Sequence, residues 1–305
     1  MSQLKIFNRC LTVVNLTFAT TIALNLWIDP LFAGDPFRRS QPHKIGDRTE
    51  AAFNAIFQQG NYPEAEKYLE KSIVYEPDEP LAYALKASLA YNKQDLASLN
   101  QYSRKTLIAG QKLISRNALR GNLYTGVGHF LEGAVILLQE GSVKGASQAF
   151  IKLAKVYEYL DKAEAIDPND PELNLIRGYM NLMLAVNLPL VNPEQAIEKL
   201  ERNAAPKYLV ERGIALAYRD LKQYSPALDY ANRAVKSTGE NPEIYYLKAQ
   251  ILHEKGKQEK SQKLIKEAIA NFEKALTKKS QLPKNLVTQI EYEHNLAKSR
   301  LNNIR

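Results

Sequence analysis

The sequence predicts an all-α superhelix, a solenoid of stacked helix pairs with a C-terminal capping helix. Helical apolar patterns come in twos, broken by a short turn, and the same spacing of small and bulky residues returns further along the chain. At the far end Leu286, Ile290, Ala297, Leu301 and Ile304 space as one helical face, where a stacked array must cover its last apolar surface. The 305 residues are 45% hydrophobic and 24% charged, with 14 Gly and 14 Pro, which excludes disordered, collagen-like and low-complexity classes.

Taken in order, residues 1–33 read as a signal peptide or a membrane anchor. Lys5 and Arg9 precede an uncharged stretch, residues 10–28, and Leu31-Phe32-Ala33-Gly34 follows Asp29-Pro30. A basic start, an apolar middle and a small residue at the exit suit a secretory signal cut near Ala33. As a helix the uncharged stretch would rise about 28 Å, close to the ~30 Å of bilayer hydrocarbon, so an uncleaved anchor stays open, as does a buried amphipathic helix. Asn15, Asn25 and four threonines weaken a permanent span, and Arg38, Arg39 and Lys44 blunt the charge bias of an anchor. Signal and anchor alike place the rest of the chain outside the cytoplasm: periplasm, lumen or exterior. Cys10, the only cysteine, forms no intrachain disulfide, and Asn8 and Arg9 before it do not suit a lipid-attachment site. Residues 34–45, with two prolines and no helical period, read as a linker.

Residues 46–79 hold two helical patterns broken at Gln59-Gly60-Asn61 and ended at Pro77. Ala52, Phe53, Ile56 and Phe57 recur on the first, and Ala65, Leu69, Ser72, Ile73 and Tyr75 on the second. This resembles a tetratricopeptide repeat, whose ~34 residues carry small side chains at positions 8, 20 and 27, where two antiparallel helices approach closely. Ala65 and Ser72 fall at positions 20 and 27, while Phe53 stands where the small residue 8 is expected. The frame returns from Tyr208, with Ala215, Ala227 and Ala234, and from Pro242, with Ala249, Ser261 and Ala268 and with Gly256 at the turn. Pro80 and Pro171 open partial repeats. Leu99 replaces the small residue 20 in one, and an insertion at residues 187–193 delays the second helix of the other. Residues 115–167 read as a degenerate pair of long helices broken at Glu140-Gly141-Ser142. The resemblance implies an array over 46–276, with repeats near 46–79, 80–108, 115–170, 171–206, 208–241 and 242–276, and a capping helix over 277–305.

Partners of this family usually lie in a concave groove lined by the first helix of each repeat, at positions 2, 5, 9 and 12. The resemblance places Tyr91, Tyr179, Arg212, Arg219, Tyr246 and Gln250 there as protein-binding residues. Tyrosine and arginine are the types most able to anchor an interface, although tyrosines fill superhelix interiors equally well. The family's clamp for chaperone C-terminal carboxylates is absent, since Glu50 replaces the cation and Leu85 the second Asn.

No catalytic, cofactor or metal motif emerges. His43, His129, His253 and His294 form no pair at ligand spacing, and no nucleophile elbow occurs. Gly126-Val127-Gly128 with Gly133 misses the phosphate-loop spacing and reads as close helix packing. The expectation is a non-enzymatic scaffold or assembly factor for a protein partner, a peptide or helix, with no nucleic acid. A leader followed by repeats with junctions such as IDPNDPE resembles bacterial, particularly cyanobacterial, proteins that help build envelope or photosynthetic complexes. The alternative is a membrane-surface or polyanion binder using the basic C-terminal region. There residues 242–305 carry 13 basic and 7 acidic side chains, +6 of the chain's net +8, although the lysines are spaced singly among glutamates.

Overall fold

A computed structural model describes residues 34–38, 40–187 and 193–303. The leader reading of residues 1–33, Arg39, residues 188–192 of the insertion and Ile304 of the last helical face lie outside the described residues. Among those described, every regular element is a helix. They run as α1 (Asp47–Phe57) and α2 (Tyr62–Tyr75), α3 (Pro80–Asn92) and α4 (Leu96–Leu113), α5 (Ala118–Lys144) and α6 (Ala146–Glu164), α7 (Pro171–Asn187) and α8 (Pro193–Asn203), α9 (Lys207–Asp220) and α10 (Tyr224–Thr238), and α11 (Pro242–Gln258) and α12 (Gln262–Leu276). A short 3-10 turn (Lys279–Gln281) then leads to the single α13 (Lys284–Asn303).

Local chemistry sets these boundaries. Pro80 and Pro242 open α3 and α11, where a missing N–H removes nothing, and the preceding Glu79 and Asn241 accept the backbone N–H of Leu81 and Glu243 at 2.9 Å each. Asp170 caps α7 through the Leu173 N–H, and Asn61, Asp95 and Ser261 cap α2, α4 and α12. Within three pairs the chain reverses through a residue in the left-handed region, with φ of 67° at Gly60, 58° at Gln94 and 61° at Lys222. Gly60 adopts this freely; Gln94 and Lys222 adopt it against their Cβ. The last pair departs from the spacing read in the sequence. Gly256 lies inside α11, not at the turn, and the reversal comes one helical turn later, where Lys260 has φ of 51°. The extra turn sets Gly256 against the Ile265 side chain, an approach that a Cβ would close to 2.8 Å.

The small residues at the helix crossings are fully buried, Ala227 and Ala249 at 0% exposure. Ala227→Leu or Ala249→Leu is therefore expected to overpack and destabilise by about 1–3 kcal/mol, measured as a lowered thermal midpoint. Unchanged midpoints for both would reject this packing frame.

Residues 34–38 and 40–45 form a strap without regular structure that is bound down rather than free. The Asp35 carboxylate accepts the backbone N–H groups of Phe37, Arg38 and His43, and Phe37 and Ile45 are buried. Phe37 meets Phe53 edge-on at 4.9 Å, and Phe53 meets Phe57 at 4.8 Å. This accommodates the bulky residue at position 8 of the first repeat: it packs on the strap and on its own helix.

The array curls far enough that its beginning meets its end. The Asn241 side chain donates to the Phe57 carbonyl at 3.1 Å, and Asn285 donates to the Asn92 carbonyl at 2.9 Å. Tyr62 packs against the hydrophobic cluster of α11, α12 and α13. The first helices of successive pairs consequently face one another across a shared interior.

At one end of that interior sits a buried charge cluster. Arg120, 1% exposed, makes a two-pronged bond to Glu79 at 2.9 and 3.1 Å and a third to Glu172 at 3.0 Å. Tyr124 donates its hydroxyl to the other oxygen of Glu172 at 2.5 Å. These bonds tie the starts of α3, α5 and α7 together, and Arg38 of the strap adds a bridge to Asp167 and Asp170 just ahead of α7.

Candidate binding groove

A helix that repeats every 3.6 residues presents positions 2, 5, 9 and 12 on one side. In α1, α3, α7 and α9 that side faces the shared interior and lines a cavity of about 510 Å³. Phe57, Leu81, Ala84, Ser88, Leu175, Tyr179, Leu209, Arg212 and Leu216 are the wall residues that those positions supply. The strap and α5 add Phe37, Val127, Phe130 and Leu131, which sequence reasoning did not place there. Phe37 sits in a stretch without period, and α5 departs from the 34-residue frame, so neither carried a positional signal. Arg212 is the one charged side chain among the described wall residues. Such a surface offers apolar contact and little hydrogen bonding.

Two of the six residues expected to bind a partner belong to this wall, and both are also held by neighbours. Tyr179 donates its hydroxyl to the Leu209 carbonyl at 2.6 Å, and its ring lies on Gly213, where a Cβ would come within 2.7 Å. Burial pushes the phenol up to about 12. Arg212 donates to Glu243 across to α11. Burial works against its charge, but the nearby Glu243 carboxylate more than offsets this and keeps the guanidinium protonated.

Arg219, Tyr246 and Gln250 gather elsewhere, around Glu293 of α13. Arg219 donates to the Gln250 carbonyl oxygen at 2.7 Å, and the Gln250 amide and the Tyr246 hydroxyl both donate to Glu293, at 3.0 and 2.8 Å. Burial, followed by the Glu293 carboxylate, raises the Tyr246 phenol above its ordinary range. Arg219, Gln250 and Glu293 line an open cleft of about 790 Å³ with Tyr292, Leu296 and Arg300. Tyr91, 57% exposed, lines a third depression with Leu138 and Asn285. The six side chains thus divide among three places, because the array curls and α13 crosses the inner side of the last pair.

Among the described residues no three His, Cys, Asp or Glu side chains converge as a metal site would require. Ring nitrogens of His43, His129, His253 and His294 approach the carboxylates of Asp170, Glu132, Glu254 and Glu273.

The tetratricopeptide repeat family model matches residues 51–98 and 212–283. Over these two stretches the helix pairs are similar to tetratricopeptide repeats, and the fold is an all-α superhelix. The two matches take in the first pair, α3 and the last two pairs, and the stretch between them holds the long α5 and α6 and the insertion. No curated protein matches the chain by sequence. Tetratricopeptide repeats generally act as non-enzymatic platforms for protein partners, and an apolar concave wall is a surface suited to that use.

Proposed function

We propose that this chain is a non-enzymatic scaffold or assembly factor that grips an apolar segment of a protein partner, a peptide or helix, in the groove between α1, α3, α5, α7 and α9. The observation that carries the reading is the composition of that wall, aromatic and aliphatic apart from Arg212, Ser88 and the tyrosines. A partner's aliphatic or aromatic side chains would gain most of their binding energy by leaving water there. The basic leader and uncharged stretch of residues 1–33 support export, or tethering at the outer face of a membrane. The competing use of the basic C-terminal region has less support, since Lys255, Lys257, Lys278 and Lys298 sit on the carboxylates of Glu259, Glu254, Glu240 and Glu273.

A photo-cross-linking residue at Ser88 is expected to capture a discrete protein partner in cells, while the same group at Lys236 on the exposed side of α10 does not. A reporter fused after Ile45 is expected to be active only outside the cytoplasm. A cytoplasmically active reporter would refute the export reading, and equal capture from both positions would refute the groove.

A further inference from the structure

The third helix pair carries a surface that the groove does not explain. Arg120, near the start of α5, is bonded to Glu79 and Glu172 at the starts of α3 and α7, so these three helices begin together. Their lengths differ: α5 has 27 residues against 13 in α3 and 17 in α7. At about 1.5 Å per residue the straight part of α5, which ends at Glu140 before the break at Gly141, overhangs α7 by roughly 9 Å and α3 by roughly 15 Å, and the chain returns as the start of α6. Gly141, with φ of 79°, supplies the left-handed residue that turns the chain at the tip.

The overhang is apolar and exposed. Val143 is 90% exposed, Phe150 71%, Ile151 62% and Leu138 51%. Between residues 133 and 151 the sequence has only two charged side chains, Glu140 and Lys144, which cancel. Leu137 and Leu138 are consecutive, as are Phe150 and Ile151, and neighbours on a helix point about 100° apart, so the exposed side chains leave the hairpin in several directions. A partner protein covers one face, whereas hydrocarbon surrounds a tip on all sides. Behind the tip comes a band of tyrosines and of lysines paired with glutamates. Lys152 and Lys155 hold carboxylates of Glu132 and Glu158, Tyr157 and Tyr159 follow, and Lys162 lies over the Tyr159 ring at 4.4 Å. Lysine and tyrosine in that place suit a headgroup layer, with apolar stems inward and polar ends in water.

We propose that the α5–α6 tip inserts into one leaflet of a lipid bilayer. Ile151 lies ten residues past the turn at Gly141, about 15 Å along the helix, so the tip reaches no deeper than one leaflet of the ~30 Å bilayer hydrocarbon. The contact is shallow, and no described helix is long and apolar enough to cross a membrane. Docking by the tip is separate from occupation of the groove and does not rest on it.

The test uses the full chain with Cys10→Ser and a polarity-sensitive bimane probe on Val143→Cys, mixed with vesicles of phosphatidylcholine and phosphatidylglycerol. The probe at 143 is expected to shift to the blue and to be quenched by spin-labelled lipid, while the same probe on Lys236→Cys is not. This local readout separates the tip from binding by residues 1–33. Adding Phe150→Glu and Ile151→Glu, both on exposed positions, is expected to raise the lipid concentration for half the shift at least tenfold, with the helical circular dichroism retained. A probe at 143 that stays water-like at saturating lipid overturns the proposal. So does a blue shift that needs no vesicles and grows with protein concentration, which would assign the tip to a second copy of the chain.

Discussion

Replacing Arg120 with methionine is expected to destabilise the folded chain by about 3–5 kcal/mol, read as a lowered urea midpoint, because it leaves two carboxylates buried without their cation. Glu79 and Glu172 hold 8% and 2% of their side-chain surface in water, so solvent cannot replace the guanidinium. The loss also unties the common start of α3, α5 and α7. Arg202, whose partner Glu198 lies with it on the surface, is the comparison: Arg202→Ala should change the midpoint little. An Arg120→Met protein as stable as the parent would show that the cluster contributes nothing net.

The same cluster gives stability a pH dependence of known sign. Burial pushes the Glu172 carboxyl up to about 7, against the pull of Arg120. A carboxyl that holds its proton more tightly folded than unfolded adds stability that is complete below its unfolded pKa and is lost as pH rises through the folded one. The parent should therefore lose stability between about pH 4.5 and about 7 relative to Glu172→Gln, in which that part of the slope is flattened. Parallel curves for the two proteins would remove Glu172 as the source.

Spacing made the pairs legible, because proline, side-chain caps and buried small residues act within a few positions of one another. Gly60, Ala65, Ala227 and Ala249 could be placed from the sequence for that reason. What depended on distance could not. Arg120 meets Glu79 and Glu172 across 41 and 52 residues, and nothing local to any of the three announces the cluster. Gly256 misled for a related reason: glycine serves a turn and a close helix crossing equally well, and the extra helical turn of α11 decided for the crossing. The resemblance assigned groove positions helix by helix, but the curl that brings residues 57–62 to residues 241–246 is a sum of small rotations over the whole array. It separates Tyr179 and Arg212 from Arg219, Tyr246 and Gln250, which no single repeat encodes.

That separation determines how the groove should be tested. Arg212→Ala would leave Glu243, already only 8% exposed, buried without its cation, so a lost interaction could reflect a damaged wall. Ala84 is a cleaner handle. It lies at position 5 of the second repeat, half-buried, with its methyl on the cavity, so a larger side chain extends into open space rather than into packed neighbours. Ala84→Trp is expected to fill the groove and to weaken the partner captured from Ser88 by about 2 kcal/mol or more, roughly thirtyfold, because the apolar anchor loses its seat. The thermal midpoint should hold while binding falls. Arg219→Ala, which touches Gln250 in the polar cleft, should leave that affinity nearly unchanged. If Arg219→Ala weakens the partner and Ala84→Trp does not, the binding surface is the cleft under α13 and the apolar groove is interior packing.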